Sequence, residues 1–255
     1  KQIKVTGITK QDLTCFNNGT GQITVTATGG NLLNYRLNSN QSVPNNIFTG
    51  LSAAEYTVTV SDSKNCFVNY QVPRTVILSQ PNQLVVQSIT VDSVSCRNYS
   101  DGEIEIVALG GNVKKYSINN GSSYSLSSLF SNLTAGTYTI NVTDDKNCPA
   151  SYTGVNTVQV LGQPATLLVT AINKSDLSCK NSSDGQINVV ATGGNAKRYS
   201  LSGTNNLQAS PQFNGLAAGL HTVTVSDVKN CPVTYNASRV VNLTEPDSLR
   251  VTAVS

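Results

Sequence analysis

Cysteine is the residue type best spaced for chemistry in this 255-residue chain. The six cysteines fall into three pairs, Cys15 with Cys66, Cys96 with Cys148 and Cys179 with Cys231, whose members stand 51, 52 and 52 residues apart. A zinc centre calls for short C-x2-C spacings and for more histidine than the single His221, so the pattern argues against metal ligation. It predicts a disulfide inside each pair. The first cysteine of a pair lies just before one strand and the second just after another; if those strands are antiparallel neighbours, both cysteines sit at the same end. Closing a loop of this size contributes roughly 4 kcal/mol in the chain-entropy picture. Structural disulfides place the protein in an oxidising, extracytoplasmic compartment.

Other side chains offer less. His221 alternates inward beside Val223 and Val225, and the equivalent positions elsewhere in the chain are Tyr56 and Tyr138, so it reads as a packed or edge histidine and not as a general base. Asp101, Asp144, Asp145, Asp184 and Asp227 carry oxygens that calcium takes, yet Asp-Gly and Asp-x-Lys-Asn are ordinary turn chemistry and Lys64, Lys146 and Lys229 oppose a cation. No metal, no cofactor and no catalytic set is expected, and the chain is not expected to be an enzyme. Phe16, Phe67, Tyr99 and Tyr124 do not recur along the sequence, which makes them the candidates for contact with a ligand such as a sugar face; scattered over two repeats, they read first as ordinary surface residues.

The elements that position these residues come from one organising phrase. Gly136–Cys148, GTYTINVTDDKNC, sets Tyr138, Ile140 and Val142 on one face and Thr139, Asn141 and Thr143 on the other, the period-two pattern of a half-buried strand. It returns as EYTVTVSDSKNC ending at Cys66 and as LHTVTVSDVKNC ending at Cys231. Upstream, Ile23, Val25 and Ala27 have counterparts in Ile104, Ile106 and Ala108, and the turns Gly29–Gly30–Asn31, Gly110–Gly111–Asn112 and Gly193–Gly194–Asn195 end the strands at matching places. The chain is thus read as three repeats, 1–81, 82–164 and 165–246, with 247–255 as the opening strand of a fourth. Linkers around Pro81, Pro164 and Pro246 are short and stiff.

Six or seven short strands per repeat without helical periodicity predict an all-β fold: three tandem immunoglobulin-like β-sandwich repeats in an extended rod. A small up-and-down barrel is the alternative. Net charge is +3 with 12% charged residues and no block of one sign, so nucleic acid is not an expected partner. No apolar run approaches 18 residues, so no membrane insertion is expected, and an export signal is expected outside this segment.

The motifs Cys96-x4-Asp101–Gly102-x-Ile104-x-Ile106, Gly110–Gly111, Leu133-x-Ala135–Gly136-x-Tyr138–Thr139 and Asp144-x-Lys146–Asn147–Cys148 together resemble the SprB-type repeat, found in tandem in very large surface adhesins of gliding Bacteroidota. This chain departs from the pattern at Thr20–Gly21, at Ala54 and at His221. The resemblance implies export by the type IX route, an extracellular location at the cell surface, and a part in attachment and gliding. It gives a stalk segment whose partners are its own neighbouring repeats. Two other readings follow: each repeat is itself a module that binds extracellular surfaces or polysaccharide, or the array is a spacer beside an extracellular enzyme.

Overall fold

A computed structural model describes residues 2–202 and 207–248. The expected fourth-repeat strand, from residue 249 on, lies outside the described residues. The chain divides into two compact units, Lys1–Thr90 with Glu105–Leu129 and Tyr138–Gln159, and Val91–Ile104 with Phe130–Thr137 and Val160–Ser255.

In the first unit the opening third of the chain forms β1 (Ile3–Gln11), β2 (Gly21–Thr28), β3 (Asn34–Leu37), β4 (Ile47–Leu51), β5 (Glu55–Ser61), β6 (Val68–Tyr70) and β7 (Thr75–Ile77). One sheet has the order β4-β2-β1-β6 and the other β3-β5-β7. The chain crosses between sheets after β2 and at every connection from there to β7. That places β1, β2 and β4 against β3, β5 and β7, the division of an immunoglobulin-like sandwich with one further strand, β6, parallel to β1. An up-and-down barrel is excluded, because sequential strands would then be neighbours throughout.

Alternation in the sequence decides what faces inward. In β2 Gly21, Ile23 and Val25 are buried, and Ile3, Val5, Leu37, Val58, Val60 and Leu78 meet them in one core. The spacing Ile3, Val5, Ile8 breaks strict period two, and the register shift between Val5 and Gly7 supplies the reason: a bulge at Thr6 turns the strand so that Ile8 again packs inward.

The middle third contributes β8 (Val85–Asp92), β9 (Gly102–Leu109), β10 (Lys114–Ser117), β11 (Leu129–Leu133), β12 (Gly136–Thr139), β13 (Asn141–Asp144), β14 (Ser151–Tyr152) and β15 (Val158–Leu161). Within the first unit β10 pairs antiparallel with β13, and β14 runs parallel to β8. The sequence predicts one continuous strand over Gly136–Thr143. The structure interrupts it at Ile140, whose N–H donates to Thr157 O at 2.7 Å.

In the second unit β16 (Leu167–Ser175), β17 (Gly185–Thr192), β18 (Lys197–Leu201), β19 (Gln212–Leu216), β20 (Gly219–Asp227), β21 (Val233–Tyr235) and β22 (Val240–Leu243) repeat the first arrangement, as sheets β19-β17-β16-β21 and β18-β20-β22. The bulge recurs between Val169 and Ala171. The core is Leu167, Val169, Ile187, Val189, Tyr199, Val223, Val225 and Leu243 with their neighbours.

A tyrosine after each organising strand ties it down. The hydroxyls of Tyr70, Tyr152 and Tyr235 accept the N–H of Val60, Val142 and Val225 at 2.8, 2.7 and 2.8 Å. Arg239 lies 4.9 Å from the Tyr235 ring centre and donates to Val223 O, as Arg74 does beside Tyr70. Tyr235→Phe leaves the Val225 N–H without its acceptor. The expected loss is about 1–2 kcal/mol in urea unfolding, with no change in the strand signal of the circular dichroism spectrum.

Candidate functional site at the junctions between repeats

Each junction is built from a glycine turn, an acidic loop and a cysteine turn. In the second repeat Gly110 and Gly111 adopt φ of 72° and 62°. A Cβ on Gly110 would stand 1.9 Å from Gln83 O, so only glycine lets the turn lie on the start of the repeat. The turn delivers Asn112 to Asp144. The Asp144 carboxylate, fully buried, accepts the backbone N–H of Asn112 at 3.0 Å and its side-chain amide at 2.8 Å through Oδ2, and the N–H groups of Lys146 and Cys148 at 3.0 and 2.9 Å through Oδ1. Asn147 takes a φ of 62°, which folds the loop back so that Cys148 follows the carboxylate.

The same cradle surrounds Asp227, with Asn195, Lys229 and Cys231, while Asp62 accepts the backbone N–H groups of Asn31, Lys64 and Cys66 without a side-chain amide. Burial pushes the Asp144 carboxyl upward, but the N–H donors of Asn112 and Cys148 outweigh it and leave the group below the ordinary carboxylate range. At Asp62 the Cys66 N–H is the largest influence, and the carboxyl falls to about 2. Donors therefore occupy the oxygens that a cation would need. Asp101 and Asp184 are occupied too, by Ser95 N–H at 2.9 Å and Ser178 N–H at 3.2 Å, and Thr20 Oγ1 does the same for Thr14 N–H at 3.0 Å. Asp145 pairs with Lys146 at 3.1 Å. No group of three His, Cys, Asp or Glu side chains suited to a metal occurs among the described residues.

The cysteines correct the expected pairing. Cys15 is bonded to Cys148 and Cys96 to Cys231, with Cα atoms 5.5 and 5.4 Å apart, while Cys66 and Cys179 are free thiols. The disulfides join one repeat to the next and do not close a loop within a repeat. The physical reason is strand direction. Leu13 N–H donates to Ser79 O and Leu78 N–H to Ala54 O, which puts the starts of β2 and β5 at one end of the sandwich; Asn31 N–H on Asp62 puts their ends together at the other. β2 and β5 lie in different sheets and run the same way, so a cysteine before one and a cysteine after the other occupy opposite ends.

Two further contacts fasten each junction. Asn112 Nδ2 donates to Thr14 O at 3.2 Å as well as to Asp144, and Asn195 Nδ2 donates to Ser95 O at 3.0 Å as well as to Asp227. Each asparagine thus links the acidic loop of its own repeat to the backbone just before the preceding repeat's cysteine. The residue before each linker proline holds the cysteine turn: Gln80 Oε1 accepts Asn17 N–H at 2.8 Å, Gln163 Oε1 accepts Asn98 N–H at 3.0 Å, and Glu245 Oε2 accepts Asn181 N–H at 2.7 Å. Sequence reasoning read these asparagines only as turn residues. Their recurrence in step with Asp-x-Lys-Asn-Cys was the available signal.

The four aromatic residues singled out in the sequence do not share one role. Phe16 lines a cleft of about 420 Å³ with Pro81, Leu84, Cys148 and Pro149 at the first junction. Phe67 is 76% exposed next to the free Cys66. Tyr124 donates to Asn141 Oδ1 at 3.0 Å, and Tyr99 is exposed after the Cys96 turn. His221 approaches Ala217 O at 3.0 Å through Nε2, the contact that the Tyr56 hydroxyl makes with Ser52 O at 3.0 Å. Among the described residues no helix is long and apolar enough to cross a membrane.

Among solved structures, the chain is similar to the C-terminal 282-residue fragment of intimin in complex with the translocated intimin receptor (Tir) intimin-binding domain, at 17% identity and TM-score 0.35, covering 65% of this chain and 66% of that one. It is also similar to immunoglobulin domains 1–5 of Sidekick-1, at 12% identity, TM-score 0.32 and 92% against 58% coverage, and to domains 1–6 of the surface layer protein SbsC, at 11%, 0.29 and 91% against 40%. The chain spans less than two thirds of each. The strand order described above, and not these distant likenesses, defines the fold. No curated protein matches. The SprB repeat family model matches residues 7–36 and 171–205, which run through β1 to β3 in the first repeat and β16 to β18 in the third. At these two segments the chain is similar to the SprB repeat family.

Proposed function

We propose that this chain is a stalk segment of a large exported cell-surface adhesin used in surface attachment and gliding motility, with 1–81, 82–164 and 165–246 as successive spacer repeats and 247–255 as the start of another. The reading makes the chain non-enzymatic and extracellular, with its neighbouring repeats as its first partners. One observation carries it: each of the two junctions is fastened by a disulfide, by an asparagine amide and by the pinned linker together. A spacer must keep its repeats in fixed succession under load, and that is the property on which this sequence spends its recurring polar residues.

The competing reading, in which each repeat binds extracellular polysaccharide or surfaces through Phe16, Phe67, Tyr99 or Tyr124, separates from it on a glycan array and on abiotic surfaces, with and without calcium. The stalk reading expects no saturable binding of the 255-residue chain. Saturable binding to one ligand class that weakens at least tenfold in Tyr99→Ala or Tyr124→Ala would make the repeats the adhesive units.

A further inference from the structure

The two disulfides overlap along the chain. Cys15–Cys148 spans 133 residues and Cys96–Cys231 spans 135, and both spans contain the segment from Cys96 to Cys148. Tension applied at the two ends of the chain meets Cys15 first from one side and Cys231 first from the other. Three covalent routes join these two residues. One follows 81 residues of backbone from Cys15 to Cys96 and crosses to Cys231; another crosses from Cys15 to Cys148 and follows 83 residues to Cys231. The third crosses from Cys15 to Cys148, runs back against the chain direction to Cys96 and crosses to Cys231, with only 52 residues of backbone. The shortest route goes taut while the other two are slack.

From this connectivity we infer that the overlapping disulfides are a load limiter, which routes tension backwards through residues 96–148 and in which each bond backs up the other. On the taut route lie β1 before Cys15, β9 to β13 between Cys96 and Cys148, and β21 and β22 after Cys231. The strands β2 to β8 and β14 to β20 lie on the slack arms and cannot be drawn out to their full length. Tension crosses at contacts that the folded protein already makes, since Asn112 bonds Thr14 O beside Cys15 and Asn195 bonds Ser95 O beside Cys96. The taut route, residues 1–15, 96–148 and 231–255, is about 310 Å long, against about 880 Å for the chain without disulfides. Losing Cys15–Cys148 leaves 1–96 and 231–255 on the route, and losing Cys96–Cys231 leaves 1–15 and 148–255; either loss adds only about 100 Å. Losing both adds about 570 Å. Bonds inside each repeat would instead lie in series, each bypassing 51 or 52 residues by itself, and each loss would add about 180 Å whatever the state of the others. The use of the limiter rests on the stalk reading above; the limit itself rests on the two bonds.

The test stretches the whole chain in optical tweezers, free thiols blocked, between handles ligated enzymatically to its two ends. Four forms are compared: oxidised wild type, reduced wild type, Cys15→Ser with Cys148→Ser, and Cys96→Ser with Cys231→Ser. The fully extended length is expected near 310 Å for oxidised wild type, about 100 Å more for each double variant and about 570 Å more after reduction. Cys66→Ser, which removes a free thiol, is expected to leave the wild-type length unchanged. Gains of about 180 Å for each bond lost, or the same gain for Cys66→Ser, overturn the proposal. The two wild-type lengths are read from the extended chain and decide against an unlimited array even if a variant folds poorly. Ligand binding does not alter these lengths, so the stalk reading fails on the glycan array and the limiter fails on the tether, each without the other.

Discussion

Replacing Cys15 and Cys148 together by serine is expected to lower the stability of the first unit by about 3–5 kcal/mol. The bond closes a ring of 133 residues, and the chain-entropy model assigns a ring of that length about 5 kcal/mol. The Cys96–Cys231 bond overlaps it along the chain and already restricts part of the same unfolded ensemble, which brings the expected figure below the isolated value. Urea unfolding should show the midpoint falling by roughly 1 M or more. Cys66→Ser, which breaks no bond in this structure, should leave it within about 0.5 kcal/mol. A loss for Cys66→Ser equal to that for the double variant would restore the pairing within repeats.

Asp144→Ala should cost as much by a different route. The carboxylate is fully buried and satisfies three backbone N–H groups and the Asn112 amide. Alanine leaves those donors without acceptors, at about 1–3 kcal/mol for each that water cannot reach, so a total loss of roughly 3 kcal/mol or more is expected. It also frees the loop that carries Cys148. Refolding of the reduced variant should therefore regenerate less of the Cys15–Cys148 bond than wild type does. Asp144→Asn keeps one acceptor oxygen and should fall between the two. Acid should act through the same cradles. A carboxyl lowered in the folded state, as Asp62 is to about 2, stabilises fully above the unfolded value near 3.8 and loses that contribution as pH drops through about 2. Thermal melts should be flat from pH 7 to 5 and fall steeply between pH 4 and 2. A melting temperature unchanged at pH 2 would deny these carboxylates their structural role.

Much of the sandwich was legible because period-two burial and in-register recurrence are local signals. Ile23 and Val25, Ile104 and Ile106, and Ile187 and Val189 are all buried as their alternation requires. The bulge at Thr6 could also be read, in the step of three from Val5 to Ile8. The cysteine partners could not. A separation of 51 or 52 residues gives the length of chain between two thiols and says nothing about which end of a sandwich each occupies; that depends on β2 and β5 lying in different sheets and running the same way. Asn112 and Asn195 were visible as turn residues, but a side chain that serves two repeats at once is defined by contacts 98 and 100 residues away. The interruption at Ile140 had no signal in a stretch that alternates as regularly as β20 does.

The pairing across junctions is tested most directly by a tryptic peptide map of the non-reduced protein after its free thiols are blocked. Lysine and arginine positions place all six cysteines in separate peptides. The expected links are Gln11–Arg36 to Asn147–Lys174, through Cys15 and Cys148, and Thr75–Arg97 to Asn230–Arg239, through Cys96 and Cys231. Blocked thiols are expected on Cys66 and Cys179. Recovery of Gln11–Arg36 linked to Asn65–Arg74, with no blocked cysteine, would show a staple inside each repeat and contradict the stapled junction.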